Sequence, residues 1–238
     1  MQHSQMEVTV MTIHFNTPEL LDACLRSVRK QMGGHQRIVV VENSTVRPYT
    51  CDMPNVEIID NREGQIVDFE KRLGEWPDKW ENRMCNNWAS ARHTLTIDAM
   101  TDVLTEGFIL IDSDTLLLRD LSPLADTTMA CVADIQTQKE RKGSIQRLCP
   151  YVQWVNVPML KEHGIRYFNG NYMWLLTKRW PNCWYDTGAW LFKAIREQSL
   201  PYKRIDYHDY VLHLDHGSHP FTVGKTGGWL EENKKLYI

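Results

Sequence analysis

"GFILIDSDTLLLRDL", residues 107–121, is the stretch that decides how this sequence is interpreted. Four apolar residues, 108–111, run directly into Asp112, Ser113 and Asp114, so a buried strand ends in two carboxylates one residue apart. Two anions held that close repel each other unless a cation or several hydrogen-bond donors compensate them. Because side chains i and i+2 of a strand point to the same side, both carboxylates can face one divalent cation. The segment therefore predicts a metal site at the end of a strand.

The bulk composition is that of an ordinary globular protein. The 238-residue chain is 42% hydrophobic and carries a formal net charge of -3, which gives no general attraction for a polyanion such as DNA. Its six cysteines form no C-x-x-C pair, which favours reduced thiols in a cytosol over a disulfide framework. Neither a signal-peptide pattern nor a run of 18 apolar residues occurs, so we expect a cytoplasmic protein without a transmembrane anchor.

Strand-like and helix-like segments alternate in the first half of the chain. The predicted strands are residues 8–15, 37–44, 55–60 and 108–112, and the predicted helices are residues 16–32 and 90–105. Thr17 is the expected N-cap of the first helix, with Pro18 at its first position. This alternation predicts an α/β fold with a mostly parallel sheet and helices on both faces. Ligands of such sheets bind beyond the carboxyl ends of the strands, where Asn43, Asp112 and Asp114 lie.

The second half of the chain is less regular. We expect a strand within residues 124–138, a mobile basic loop at 139–147 and a helix at 186–199 that begins with Asp186. A short segment rich in histidine follows at 209–219. No repeat or change of composition requires a domain boundary.

Several segments together resemble family 2-type glycosyltransferases, which have the GT-A fold. "HFNTPELLDACLRSV" (14–28) is similar to that family's opening motif, "IVVVENST" (38–45) to its second strand, and "ILIDSDT" (109–115) to its metal-binding D-x-D motif. Residues 186–218 resemble its closing part, in which an acidic residue opens a helix and an H-x-x-x-G-S-like turn follows. The likeness covers about residues 8–219. Glu42 departs from it, since the family usually has Asp there.

The resemblance implies one GT-A domain over residues 1–238, with a Rossmann-like, mixed, mostly parallel sheet. About residues 8–120 would bind the nucleotide sugar, and about residues 121–238 would bind the acceptor and close the site. The implied function is metal-dependent transfer of a sugar from a nucleotide-diphosphate donor to an acceptor hydroxyl, with inversion, in polysaccharide or glycoconjugate synthesis. The implied cofactor is Mn²⁺ or Mg²⁺, which prefer oxygen ligands.

The resemblance also assigns roles to individual residues. The expected metal ligands are Asp112, Asp114, His213 and His216. Asp186 is the expected general base, with Asp206 and Asp209 as alternatives; its structural alternative is a helix N-cap. The expected donor contacts are His14, Asn16, Thr17, Glu42, Asn43, Ser44, Arg92, His93, Asp112 and Ser113, although Glu42 also suits a capped turn and His93 a structural histidine. Trp154 and Asn156 are candidates for the acceptor side.

Three alternatives stay open from the sequence. The acceptor hydroxyl could belong to a glycan, a lipid-linked glycan or a protein, at the inner face of a membrane or in the cytoplasm. It could also belong to a hydroxymethylated pyrimidine in DNA, as for phage enzymes of similar size acting in an infected host. That option requires a basic groove, for which the candidates are Arg83, Arg92, Lys139, Arg141, Lys142 and Arg147. The third is a non-catalytic nucleotide-sugar-binding module.

Overall fold

A seven-stranded sheet lies at the centre of the protein, for which a computed structural model describes residues 8–74, 87–140, 143–170, 187–214 and 223–238. The strands are β1 (Thr9–His14), β2 (Ile38–Glu42), β3 (Val56–Asp60), β4 (Phe108–Asp112), β5 (Thr115–Leu117), β6 (Cys131–Glu140), β7 (Gly143–Val155), β8 (Tyr202–Arg204) and β9 (Val211–His213). The helices are α1 (Pro18–Met32), α2 (Phe69–Gly74), α3 (Asn87–Val103), α4 (Val157–Glu162), α5 (Ala189–Glu197) and α6 (Val223–Glu232). Short 3-10 helices span Ser122–Leu124, Tyr207–Asp209 and Lys234–Leu236.

The sheet is mixed and mostly parallel, as predicted. Its strand order is β3-β2-β1-β4-β7-β6-β8, and β5 and β9 form a separate antiparallel pair. Strand β7 runs antiparallel to both of its neighbours, and the other six strands are parallel to one another. The carboxyl ends of those six strands therefore meet at one edge, which we call the ligand edge.

Helices cover both faces of the sheet because strand side chains alternate between them. One buried cluster joins the even-numbered residues of β1 and β2 to α1: Val10, Ile38 and Val40 with Leu21, Leu25 and Val28. The other joins the odd-numbered residues to α3 and α5: Met11, Val39 and Val41 with Ile97, Met100 and Phe192. Each cluster contains residues from both halves of the chain, so the two halves share one core.

Helix α1 begins where the sequence predicts. Thr17 occupies the N-cap position and Pro18 the first turn. The Thr17 side chain makes no capping hydrogen bond; its backbone carbonyl accepts from Leu20 and Leu21 instead. The position of the cap was therefore predictable, whereas its chemistry was not.

The prediction of a basic loop at residues 139–147 is wrong. Strands β6 and β7 form a long antiparallel hairpin, in which Gln136 pairs with Arg147 and Glu140 with Gly143. The Arg147 guanidinium donates two hydrogen bonds to the Gln136 side chain, at 3.1 and 2.6 Å. Cross-strand pairing of this kind stabilises polar strands, which cannot be recognised in the sequence because they show no apolar alternation. Residues 141–142 lie outside the described residues.

The helix predicted from residue 186 begins at Ala189. Gly188 is its N-cap, with a φ of 90°. A Cβ at Gly188 would lie 2.1 Å from the Leu148 carbonyl oxygen, so the position requires glycine for both its backbone conformation and the close approach of β7. Asp186, the expected base, lies outside the described residues.

Trp154 and Asn156 do not line the acceptor side. Both are buried near the start of β4 and β6, at the edge opposite the ligand edge. The Trp154 indole donates to the Asp126 carbonyl, and Asn156 caps α4 by accepting from the Met159 amide. Their polar groups therefore form hydrogen bonds within the protein.

The described residues include no candidate membrane-spanning helix, and their four cysteines are free. None of the helices in these parts of the chain has the length and apolar character needed to cross a bilayer. Cys24, Cys51, Cys131 and Cys149 are free thiols, and burial raises the pKa of Cys24 and Cys131 to about 12.

Candidate active site

Pairing between two short strands brings His213 to the D-x-D segment. Strand β5 starts at Thr115, directly after Asp114, and Thr115 lies opposite His213 of β9. The Leu214 amide then donates to the Asp114 carbonyl at 3.0 Å. As a result, His213 Nε2 lies 3.2 Å from Asp114 Oδ1, in a site where both side chains are almost fully buried.

The residues of this site fit a divalent cation. Asp112, Asp114 and His213 each offer one ligand atom, and these atoms all lie within 4.8 Å of one another. Neighbouring ligands about 2.1 Å from an octahedral ion are about 3 Å apart, which matches the 3.2 Å between His213 Nε2 and Asp114 Oδ1. Two carboxylate oxygens and an imidazole nitrogen suit Mn²⁺ or Mg²⁺. We call these three residues the metal trio.

Tyr151 supports the imidazole of the trio. Its ring stacks on that of His213, with the ring centres 3.7 Å apart and the planes 16° from parallel. Tyr151 lies on β7, the neighbour of β4, next to the last paired residue Val152. The stack therefore fixes the orientation of His213 from the central sheet.

His93 connects the trio to the chain that follows Asp186. It projects from α3, with Nε2 3.6 Å from Asp112 Oδ1 and Nδ1 3.0 Å from Thr187 Oγ1. Thr187 is buried at the start of the α5 segment. A single imidazole thus holds the end of β4 and the residue after Asp186 next to each other.

His14 and Glu42 form a buried pair at the ends of β1 and β2. The two residues lie opposite each other in the parallel register, and His14 Nδ1 is 2.8 Å from Glu42 Oε2. Because the Thr17 amide donates to His14 Nε2 at 3.0 Å, that nitrogen accepts, and Nδ1 is the nitrogen that donates to Glu42. The amides of Ser44 and Tyr49 also donate to the Glu42 carboxylate, at 2.7 and 2.6 Å.

These bonds set the pKa of Glu42. Burial alone would raise the pKa of the carboxyl, but hydrogen bonds from His14, Ser44 and Tyr49 outweigh it and lower the pKa below its ordinary value. With 2% of its surface exposed, Glu42 holds the loop after β2 in place from within the protein.

Asn16 and Ser44 join the loops that follow β1 and β2. Asn16 has a φ of 59°, a conformation that asparagine tolerates better than most residues. Its amide donates to Ser44 Oγ at 2.8 Å, and its side-chain oxygen accepts from the amides of Val46 and Arg47. The two loops therefore form one rigid unit at the ligand edge.

Asn43 belongs to a second polar network, on the α3 face of the sheet. Its side chain donates to Thr96 of α3 at 3.0 Å and accepts from Asn61 at 2.8 Å. Asn61 in turn accepts from the amides of Ile66 and Val67. Asn61 was not predicted as a site residue; its position directly after β3, matching that of Asn43 after β2, was the available signal.

Arg92 lies on α3 between two aromatic rings. Its guanidinium carbon is 5.2 Å from the centre of the Phe15 ring and 4.6 Å from that of Phe69. Burial lowers the pKa of this guanidinium, and within the described residues no carboxylate forms a salt bridge with it. Phe15 directly follows β1 and is 38% exposed, which places the cation at the ligand edge.

The structure brings only some of the predicted residues together. Asp112, Asp114, His213 and His93 lie close to one another, whereas His14 and Glu42 lie on the α1 face, where they bond to each other and to backbone amides. Thr17 and Ser113 are buried beside these groups, and the alternative bases Asp206 and Asp209 lie on or next to an exposed 3-10 helix. Asp186 and His216 lie outside the described residues.

Comparisons with known proteins agree with this fold. No protein-family model and no curated protein matches the sequence. Among solved structures, the chain is similar to the galactosyltransferase LgtC in complex with donor and acceptor sugar analogs, with 14% identity, a TM-score of 0.50, and coverage of 82% of this chain and 73% of that chain. It is also similar to GlyE of Streptococcus pneumoniae TIGR4, with 14% identity, a TM-score of 0.47 and coverage of 84% and 46%.

A third similar structure is the mannosyltransferase PcManGT from Pyrobaculum calidifontis in complex with GDP-Man and Mn²⁺, with 14% identity, a TM-score of 0.45 and coverage of 84% and 54%. The chain spans about three quarters of the length of LgtC and about half of the other two. The likeness to LgtC, together with the strand order, confirms the predicted GT-A fold.

Proposed function

We propose that this protein is a metal-dependent glycosyltransferase that moves a sugar from a nucleotide-diphosphate donor to an acceptor hydroxyl. The observation that carries the proposal is the metal trio: two strand-end carboxylates and one imidazole lie within 4.8 Å of one another at the ligand edge of a GT-A fold. The solved LgtC structure of the same fold holds donor and acceptor sugar analogs, which supports this class of substrate.

Asp112, Asp114 and His213 would hold the divalent cation. When bound, such a cation neutralises the negative charge that develops on the departing nucleoside diphosphate. The protein contributes the geometry of the site: the β5–β9 pairing sets the position of His213, and stacking on Tyr151 sets its orientation. The ligands are thus in place before the donor binds, and little reorganisation is needed.

Arg92 is proposed as a second source of positive charge for the diphosphate. Its guanidinium is partly desolvated between Phe15 and Phe69, and these rings restrict its motion. A partly buried guanidinium binds phosphate oxygens strongly because its planar donors are already oriented and little water must be removed. The network of Asn43, Thr96 and Asn61 keeps the loops next to α3 in place.

Asp186 is proposed as the general base that accepts the proton of the acceptor hydroxyl, with inversion of the sugar centre. Support comes from its neighbour Thr187, whose hydroxyl lies 3.0 Å from His93 Nδ1, while His93 Nε2 lies 3.6 Å from Asp112. The residue directly after Asp186 therefore contacts the same imidazole that lies next to Asp112 of the metal trio. Asp209 is the alternative base, and loss of transfer in Asp209→Asn but not in Asp186→Asn would assign the role to it.

We propose a glycan or glycoconjugate acceptor. The alternative of hydroxymethylated DNA requires an exposed basic groove. Two of its candidate residues do not supply one: Arg147 is 5% exposed and bonds to Gln136, and Arg92 is proposed above to bind the donor diphosphate. The complete metal trio favours an enzyme over a non-catalytic module, which has no need of a metal for transfer.

A panel of nucleotide sugars tests the proposed activity. Purified protein is incubated with each donor and Mn²⁺, and the release of free nucleoside diphosphate is measured. We expect release from one donor class, its loss on chelation, and its loss in Asp112→Asn. Release that persists unchanged in both conditions would exclude the metal-dependent mechanism.

A further inference from the structure

A surface groove opens at the ligand edge, apart from the metal trio. It is a groove of about 380 Å³, lined by Asp134, Arg204, Ile205, Asp206 and His208. Asp134 follows Ala133 of β6, which pairs in parallel with Arg204 at the end of β8. Since β6 and β8 run in the same direction as β4, the groove lies on the same edge of the sheet as Asp112. We call it the β8 groove.

Aromatic rings connect the β8 groove to the metal trio. Tyr151, which stacks on His213, also meets Tyr207 edge to face with ring centres 5.0 Å apart. Tyr207 stacks on His208 at 3.9 Å, and His208 lines the groove. Strands β4 and β8 are three strand spacings apart, or about 14 Å. A short oligosaccharide can span that distance.

Polar side chains in the β8 groove are arranged in donor–acceptor pairs. Arg204 Nε lies 3.5 Å from Asp134 Oδ1, and His208 Nδ1 lies 2.8 Å from Asp206 Oδ1. Such a surface offers both donors and acceptors without a net positive field. The two carboxylates would repel phosphates, so the groove is unsuited to a nucleic-acid backbone.

We propose that the β8 groove binds a neutral sugar unit of the acceptor, and thereby positions a neighbouring hydroxyl of that acceptor at the metal trio. This inference rests on the proposed function and specifies its acceptor. The carboxylates of Asp134 and Asp206 accept hydrogen bonds from sugar hydroxyls, and Arg204 donates them. His208 provides ring surface for the apolar face of a pyranose, and Tyr207 supports it by stacking on it. The volume lies within the range of small-molecule sites.

Saturation-transfer NMR on the full chain tests the β8 groove, with Mg²⁺ present and lactose, maltose and cellobiose as probes. We expect at least one disaccharide to receive saturation from the wild-type protein. Asp206→Asn and Arg204→Ala are expected to weaken its binding at least tenfold. Both residues are exposed, so the fold should tolerate these changes.

Matched control variants exist at the opposite edge of the sheet. Asp126 Oδ1 accepts from the Thr128 amide at 3.0 Å, as Asp206 Oδ1 does from the His208 amide, but Asp126 precedes β6. Arg37 is exposed, pairs with Glu57 and precedes β2. Asp126→Asn and Arg37→Ala are therefore expected to bind the disaccharide as the wild type does.

Three results would overturn the inference. The first is that none of the three sugars receives saturation, and the second is that the groove variants bind as tightly as the wild type. The third is that the protein binds a hydroxymethylated DNA duplex and that Asp206→Asn strengthens this binding. The proposed function fails separately. A wild type that releases nucleoside diphosphate but binds no disaccharide contradicts the groove alone. One that binds a disaccharide but releases no nucleoside diphosphate from any donor contradicts the proposed activity alone.

Discussion

His213 Nε2 lies 3.2 Å from Asp114 Oδ1 because strand β9 pairs with β5 and places Thr115 opposite His213. The distance between the two ligand atoms is that of neighbouring positions around a divalent ion. A strand pairing between distant parts of the chain thus completes a site that the D-x-D segment only begins.

His213→Ala is expected to raise the Mn²⁺ dissociation constant at least tenfold, since it removes one of three protein ligands. Titration of Mn²⁺ followed by electron paramagnetic resonance measures the change. His163→Ala is the control, because His163 is exposed at the end of α4. Equal Mn²⁺ affinity in His213→Ala and the wild type would remove His213 from the site.

Arg92→Ala is expected to weaken nucleoside diphosphate binding roughly 10- to 100-fold, the effect of losing hydrogen bonds from a charged group worth about 1.5–3 kcal/mol. Arg92→Lys should restore little, because an ammonium group has no planar face to lie between Phe15 and Phe69. Calorimetry with UDP and GDP in the presence of Mn²⁺ measures both variants. Arg166→Lys, in an exposed pair with Asp102, should bind normally.

Glu42→Gln is expected to destabilise the protein by about 2–4 kcal/mol. Both carboxylate oxygens accept hydrogen bonds from fixed donors, so a side-chain NH₂ group would face an N–H of Ser44, Tyr49 or His14. Chemical unfolding at neutral pH measures the loss. Glu57→Gln, in an exposed pair with Arg37, should change stability by less than about 1 kcal/mol.

The same carboxylate predicts a pH dependence. The pKa of Glu42 in the folded protein lies below its ordinary value of 4.5, so the unfolded chain takes up the proton first as pH falls. Its stabilising contribution is therefore complete above pH 4.5 and is lost as pH falls through the lower folded-state pKa. The free energy of unfolding should fall more steeply between pH 7 and pH 3 for the wild type than for Glu42→Gln. An equal pH dependence in the two proteins would contradict this.

Gly188→Ala is expected to destabilise the protein by more than about 1 kcal/mol and to reduce transfer activity. The φ of 90° disfavours alanine, and the new Cβ would lie 2.1 Å from the Leu148 carbonyl oxygen, displacing Thr187 from His93. Gly164→Ala separates the two effects, because Gly164 has a φ of 61° but no atom within 4 Å of a Cβ. Thermal unfolding should show a larger loss for Gly188→Ala than for Gly164→Ala.

Local patterns sufficed for much of the fold. The apolar runs of β1, β2 and β4 and the amphipathic face of α1 indicated a parallel sheet with helices on both faces, and the carboxyl ends of the strands indicated the ligand edge. The resemblance to family 2-type glycosyltransferases supplied His213. Its distance from Asp114 depends on the β5–β9 pairing, which short-range periodicity does not predict.

The remaining differences also come from long-range contacts. Glu42 was expected to contact the nucleotide or to cap a turn; in the structure it lies opposite His14 of β1 and accepts from the amides of Ser44 and Tyr49. The hairpin of β6 and β7 was missed because its polar residues pair across strands and show no apolar alternation. Asn61 was missed because its partners lie at the end of β2, directly after β2 and in the loop before α2.

Calorimetric titration of Mn²⁺ into the wild type and into the Asp112→Asn, Asp114→Asn double variant measures whether the metal trio binds a cation, with UDP or GDP present to complete the coordination. We expect one Mn²⁺ bound per wild-type chain and no measurable binding to the double variant. Absence of heat with the wild type, or equal binding to both proteins, would contradict this expectation.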